Sequence, residues 1–255
     1  MNPLLRTAAA LSLFAFTLGV ATAFGQIQRD VLLQVVRTCV ANHAVTGFAF
    51  PCLEVNTSDG EDRGYVVLRR PGLRDIVLAP TKQVVGIEDP WLRAAEAPNY
   101  FQDAWNARHF LKELRQRPLA HDDVALAVNS GLSRAQDQLH IHIGCLALRE
   151  RQAIRSIAPE LSESGWVRIK RGMHGIDFWA RQIGQSSLEG VNPLRLAAEG
   201  IPDALGNLTS MGLAVAASPL ADGRDGFVAL AWFDDASVPG HAFAAEGLLD
   251  RHCSH

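Results

Sequence analysis

Two histidines, His140 and His142, stand one residue apart in the run Gln138-Leu139-His140-Ile141-His142-Ile143. Polar and apolar residues alternate there, the pattern of a half-buried β-strand. Side chains two apart on a strand leave the same face. The spacing therefore predicts that Gln138, His140 and His142 project together while Leu139, Ile141 and Ile143 enter the core. Neighbouring imidazoles in an apolar setting call for an anionic or metal partner. The loop just before them, Asn129 to Gln136, carries amide, hydroxyl and guanidinium donors, with backbone N–H groups expected to be accessible at Gly131. Such a loop beside two histidines is suited to cradle an oxyanion or phosphate, with Asn129, Ser130, Arg134, Gln136 and Gln138 as the candidate contacts.

Three chemistries fit this pattern. The pair can be ordinary strand histidines, solvated or hydrogen-bonded. It can ligate zinc, since two histidines on one strand face reach a common metal, but His174, Asp137 and the His252/Cys253/His255 tail lack any supporting spacing as further ligands. It can also do nucleophilic catalysis at phosphorus, one imidazole attacking while the other orients or moves a proton.

The elements that must position these groups follow from periodicity. A helix is expected over 28–43, and short strands over 65–68 and 75–78 are joined by Arg-Arg-Pro-Gly-Leu, a hairpin signal. A helix near 99–116 stops at Pro118. Strands are expected at 124–128, 138–148 and 166–170, and helices at 149–160, 174–184 and 192–205. Strands 211–217 and 226–233 flank a second hairpin signal, Ala-Asp-Gly-Arg-Asp-Gly, and the tail from 239 is expected to be helical. Of the aromatic residues, Tyr100, Phe101 and Trp105 recur at helical spacing and are expected in the core, whereas Trp91 stands apart from them. Helices and antiparallel hairpins in mixed order make an α+β fold, with a loosely similar order of elements in the two halves.

Composition narrows the class. Of 255 residues, 48% are apolar and 20% charged, so a large core can form. The 24 Lys and Arg against 27 Asp and Glu leave no basic field for nucleic acid. Residues 7–25 carry no charge and follow Arg6, the pattern of a signal peptide or a one-pass anchor, with a body over 26–255. As a helix that run spans about 28 Å, close to the thickness of a bilayer core. The cysteines number four, an even count that suits an exported chain. Cys39 and Cys52 flank a short loop, which favours a local bridge and leaves Cys145 to pair with Cys253, one of three connectivities open to four cysteines.

The histidine strand with its donor loop resembles the signature of the histidine-triad (HIT) superfamily. More specifically, the chain is similar to the bacterial CDP-diacylglycerol pyrophosphatase family over most of its body. The similarity runs through Gly64–Leu68, Ala79–Thr81, Gly86–Pro90, Pro98–Arg108, Ala127–Ser130, Ala135–Cys145 and all four cysteines. It implies a HIT-like antiparallel sheet with packed helices, in two HIT-like halves, and hydrolysis of CDP-diacylglycerol to CMP and phosphatidate. By the same resemblance, His140 is the nucleophile, His142 contacts the phosphate and bridging oxygen, and no cofactor or metal is needed. It also implies an enzyme of the bacterial inner membrane whose body faces the periplasm and whose lipid substrate stays in the bilayer. The first triad position holds Gln138 instead of histidine, so a proton relay through that position is absent. Loss of that histidine leaves a second class open, a non-catalytic exported domain that binds nucleotide or anionic lipid, and a zinc-dependent phosphohydrolase is a third.

Overall fold

The computed structural model describes residues 28–70, 75–114, 118–238, 242–250 and 253; the apolar run at 7–25 lies outside the described residues. Helix α1 (Val31–Thr46) buries Leu33, Val36 and Cys39, one helical face, and stops where Gly47 takes a left-handed φ of 76°. Nine strands then follow one path in a single antiparallel sheet: β1 (Glu54–Asn56), β2 (Tyr65–Arg69), β3 (Ile76–Pro80), β5 (Ile141–Leu146), β4 (Val124–Val128), β8 (Met211–Pro219), β9 (Asp225–Phe233), β7 (Phe178–Ile183) and β6 (Val167–Ile169). A two-residue strand, β10 (Leu249–Asp250), pairs with β5 beyond the end of β3.

The order has an internal symmetry. With edge strand β1 set aside, β2-β3-β5-β4 and β6-β7-β9-β8 repeat one arrangement counted inward, and β4 pairs with β8 where the two meet. The α+β expectation and the repeated order of elements therefore hold. In the second half β9 takes the place of β5, and its sequence, Asp-Gly-Phe-Val-Ala-Leu-Ala-Trp-Phe, contains no histidine. Only the first half carries the His pair.

One face of the sheet packs Ile76, Leu78, Leu126, Ile141, Ile143 and Val215 against α2 (Tyr100–Ala107), which buries Tyr100, Phe101 and Trp105 as core residues, and α4 (Pro193–Gly200). Asn99 and Asn192 cap these two helices by accepting from backbone N–H groups of the first turn. The other face carries α1 over Val66 and Ala79, and α3 (Leu148–Ile157) with the C-terminal segment over the alanines of β4 and β8. Those alanines, Ala125, Ala127, Ala214 and Ala216, are small enough for the segment 245–248 to lie close to the sheet.

Several boundaries differ from the sequence reading. The helix expected at 174–184 is strand β7: even-numbered Phe178 and Ala180 face one side and Trp179 and Ile183 the other, and pairing with β9 decides the conformation. Among the described residues of the tail there is one 3₁₀ turn at Ala245–Leu248 followed by β10 instead of a longer helix, because Leu249 and Asp250 complete an open edge of β5. The helix at 99–116 shortens to α2, followed by a 3₁₀ stretch over Arg108–Leu114. The helix at 192–205 closes at Gly200, ahead of Pro202. The strand at 138–148 starts only at Ile141, since Leu139 N–H is drawn to the carbonyl of Val84 at 2.6 Å. Both expected disulfides form, Cys39–Cys52 and Cys145–Cys253.

Candidate active site

His142 sits within β5, opposite Val77 of β3 and Ala127 of β4, and is almost fully buried. His140 lies just before the strand and is half-buried. Their rings meet edge to face, centroids 4.9 Å apart, so both imidazoles leave the same side as the alternation predicts. That side is the one that carries α1 and the C-terminal segment.

The two rings are set differently. His140 Nδ1–H donates to the carbonyl of Gln138 at 2.8 Å, which fixes the proton on Nδ1 and leaves the lone pair on Nε2. Burial, with the neighbouring His142 adding to it, lowers the His140 pKa to about 4, against a smaller opposing pull from the Gln138 carbonyl and Glu246. At neutral pH this imidazole is uncharged with a free Nε2. A small opening of about 10 Å³ reaches it, lined by Val85, Gly86, Val128, Asn129, Arg134, Gln138 and Leu139.

Around His142 lies a charged cluster. Arg70 Nη1, at the end of β2, donates to His142 Nδ1 at 2.8 Å. A guanidinium has no lone pair to offer, so Nδ1 accepts and the proton of neutral His142 rests on Nε2. Asp75 Oδ2, ahead of β3, is 3.1 Å from the same arginine atom and 3.3 Å from His142 Nδ1. His142 Nε2 is buried and has no hydrogen-bond partner among the described residues; the carboxylate oxygen Glu246 Oε1 is 3.9 Å away. A buried donor left unmade costs roughly 1–3 kcal/mol, which marks Nε2 as a group awaiting a ligand. Burial pushes the Glu246 carboxyl up, but His142, its own backbone, Asn129 and Arg70 together hold it below the usual range. It is therefore an anion at neutral pH.

The candidate loop residues divide by position. Asn129 lines the opening, donates to Glu246 Oε2 at 2.7 Å and accepts from Ala245 N–H at 2.6 Å, which ties the C-terminal segment to the site. Arg134 also lines the opening, between Glu88 Oε1 at 2.7 Å and Asp137 Oδ1 at 3.2 Å. The other three reach protein atoms. Ser130 is fully buried and donates to Asp234. Gln136 accepts from Leu32 N–H at 2.8 Å and donates to the Gln28 carbonyl at 2.9 Å, at the start of α1. Gln138 borders the opening beside His140, but its amide is taken up by the backbone: it donates to the carbonyls of Pro80 and Lys82, both at 2.9 Å, and accepts from Val84 N–H at 3.2 Å. Nor is the Gly131 amide offered to a ligand, since it donates to the Thr209 carbonyl at 2.7 Å. Close approach to Thr209 is what the glycine serves there, as an added Cβ lies 2.8 Å from Thr209 Cγ2.

Arg70, Asp75 and Glu246 were not singled out from the sequence. Arg70 and Asp75 bracket the first hairpin, and only the pairing of β3 with β5 brings them to His142. Glu246 has no local signal; the Cys145–Cys253 bridge, which fastens the tail to β5, is the one feature of the sequence that points toward it. As for metal, no group of three or more His, Cys, Asp or Glu among the described residues can hold an ion. Of the zinc candidates, Cys253 is in a disulfide and His174 pairs with Glu150 at 3.1 Å.

A neutral imidazole with an open Nε2, a buried N–H donor beside it and two arginines nearby form a site built for a phosphate ester or anhydride. Comparison with known proteins agrees. The sequence pattern of the CDP-diacylglycerol pyrophosphatase family matches residues 27–255. The CDP-diacylglycerol pyrophosphatase of Yersinia pestis is 35% identical over 227 residues, which cover 88% of this chain and 84% of that protein. The chain belongs to the CDP-diacylglycerol pyrophosphatase family.

Proposed function

We propose that the protein hydrolyses the pyrophosphate bond of CDP-diacylglycerol to CMP and phosphatidate by way of a cytidylyl-histidine on His140. The observation that carries this reading is the adjacency of a neutral His140, its Nε2 lone pair free, to the unpartnered Nε2–H of His142. His140 Nε2 attacks the cytidine-side phosphorus, a P–N bond forms, and the bond from phosphorus to the bridging oxygen breaks. The electron pair leaves on phosphatidate, whose oxygen is stabilised by the proton of His142 Nε2. Water then attacks the same phosphorus, the P–N bond breaks, and CMP departs with His140 neutral again. One proton of that water passes to solvent, and His142 keeps its Nε2 proton throughout as a hydrogen-bond donor.

Charge that builds on the non-bridging oxygens is met by His142, Arg134 and the amide of Asn129. Arg70 acts through His142 by keeping Nε2 protonated, and Glu246 offsets positive charge when either ring is transiently protonated. Ser130, Gln136 and Gln138 hold the loop and the His140 backbone from behind. Two disulfides favour an oxidising compartment, which supports a periplasmic body with residues 7–25 as the membrane segment. Exposed Val85 at the opening gives it an apolar edge, in keeping with a diacyl substrate.

The test is purified full-length protein in mixed micelles with cytidine-labelled CDP-diacylglycerol, quenched in alkali. Label is expected on His140, with CMP released in the wild type and neither in His140→Ala. CMP release by His140→Ala at the wild-type rate overturns the assignment.

A further inference from the structure

The most exposed large apolar side chains among the described residues stand together, far from the His pair, where α1 turns back toward β1. Val45 is 86% exposed, Phe48 73% and Phe50 77%. The tip they crown is built to be rigid. Gly47 N–H donates to the His43 carbonyl at 2.8 Å, and Phe48 N–H donates to Thr46 Oγ1 at 3.1 Å. The Asn42 amide donates to the carbonyls of Phe48 at 3.1 Å and Phe50 at 2.8 Å. Pro51 has no N–H, and the Cys39–Cys52 disulfide closes the base. Several peptide groups that a surface loop usually gives to water are thus occupied within the tip, which lowers the cost of entering a medium without water.

Charge and position favour the same entry. From Val31 to Leu53 the chain has no Asp or Glu and its only fixed charge is Arg37, although the whole sequence has 27 carboxylates. Such a segment is not repelled by an anionic lipid surface. Helix α1 is about 24 Å long and packs on the sheet face that carries His142. Its start is bonded to the catalytic loop, through Arg29 to Asp137 at 2.6 Å and Gln136 to the Gln28 carbonyl, and the apolar run 7–25 ends just ahead of it.

We propose that the Val45–Phe50 tip inserts into the lipid bilayer as a second membrane contact, about 5–10 Å deep, separate from the N-terminal segment. With the apolar run at one end of α1 and the tip at the other, the helix lies along the surface and the loop 129–137 is held at the level of the lipid headgroups. The inference rests on the reading of the substrate as a bilayer lipid, and its test does not depend on turnover.

Full-length Phe48→Trp and Phe50→Trp are bound to vesicles of phosphatidylethanolamine and phosphatidylglycerol and recovered by flotation. Emission is compared with and without brominated acyl chains, the five native tryptophans being subtracted with the wild-type protein. Leu205→Trp, 58% exposed and beyond α4 on the opposite face of the sheet, is the control. Most of the added emission at 48 and 50 is expected to be lost to brominated lipid, with none lost at 205. Equal quenching at all three positions, or none at 48 and 50 on vesicle-bound protein, overturns the proposal. So does conversion of a dimer to a monomer in detergent by Phe48→Ser/Phe50→Ser, which makes the tip an interface between copies. Quenching without CMP release overturns the hydrolase reading and leaves the docking intact.

Discussion

Lowering the pH from 7.5 to 5.5 separates a nucleophile with a depressed pKa from an ordinary histidine. With the usual pKa near 6.5, the neutral fraction falls from about 0.9 to about 0.1 over that interval, and an attacking imidazole loses about tenfold in rate. His140 has a pKa of about 4, because burial and His142 disfavour its charged form. At pH 5.5 it is still about 97% neutral, so the loss is only a few per cent. The sign is that of a group depressed in the folded protein. Its lone pair is present above about pH 4 and is lost below, and the protein loses stability as the pH falls from the unfolded value near 6.5 toward the folded one. The relevant measurement is kcat/KM for CMP release in mixed micelles between pH 4.5 and 8 at constant ionic strength, since that ratio reports the free enzyme. A half-maximal point between 6 and 6.5 in the acid limb refutes the claim that His140 is the attacker held neutral by its setting.

Three other substitutions test the frame around the site. Gln138→His leaves a ring with two nitrogens where three hydrogen bonds to residues 80–84 are now made; stability should fall by about 1–3 kcal/mol in urea titration, without any gain in rate. An unchanged urea midpoint rules out that role. Asn129→Ala removes the partner of both Glu246 Oε2 and Ala245 N–H, so a loss of about 1–3 kcal/mol in thermal denaturation and a higher Glu246 pKa are expected. Removing Cys145–Cys253, which spans 108 residues, should cost about 5 kcal/mol by chain entropy, against about 3 for the 13-residue Cys39–Cys52 loop. Only the former should also abolish CMP release, because it frees the segment that bears Glu246. The reverse order of midpoints contradicts that account.

The site shows which parts of the argument need only local order. That His140 and His142 face one way was legible because strand geometry sends i and i+2 to one side, whatever the strand packs against. The hairpin 65–80 and strands β4, β8 and β9 were legible for a similar reason: alternation and turn residues act over a few positions. Strand β7 was misread because Phe178 to Ile183 fits either period, and only its place between β6 and β9 selects the extended form. Donor residues in the loop 129–137 were recognised by type, but type does not say where a donor is spent. Ser130 is turned to Asp234, and Gln138 to the backbone beside β3.

By itself, then, the sequence determined the nucleophile candidates, the local Cys39–Cys52 bridge, the mixed fold class and the apolar run at 7–25, all of which follow from residue type and short-range spacing. What the tertiary structure alone decided is the electrostatic setting of the two rings. Arg70 and Asp75 reach His142 across a β3–β5 pairing, and Glu246 arrives from more than a hundred residues away. Proton placement on an imidazole depends on charges within a few ångströms, and distances of that kind exist only once the chain has closed on itself.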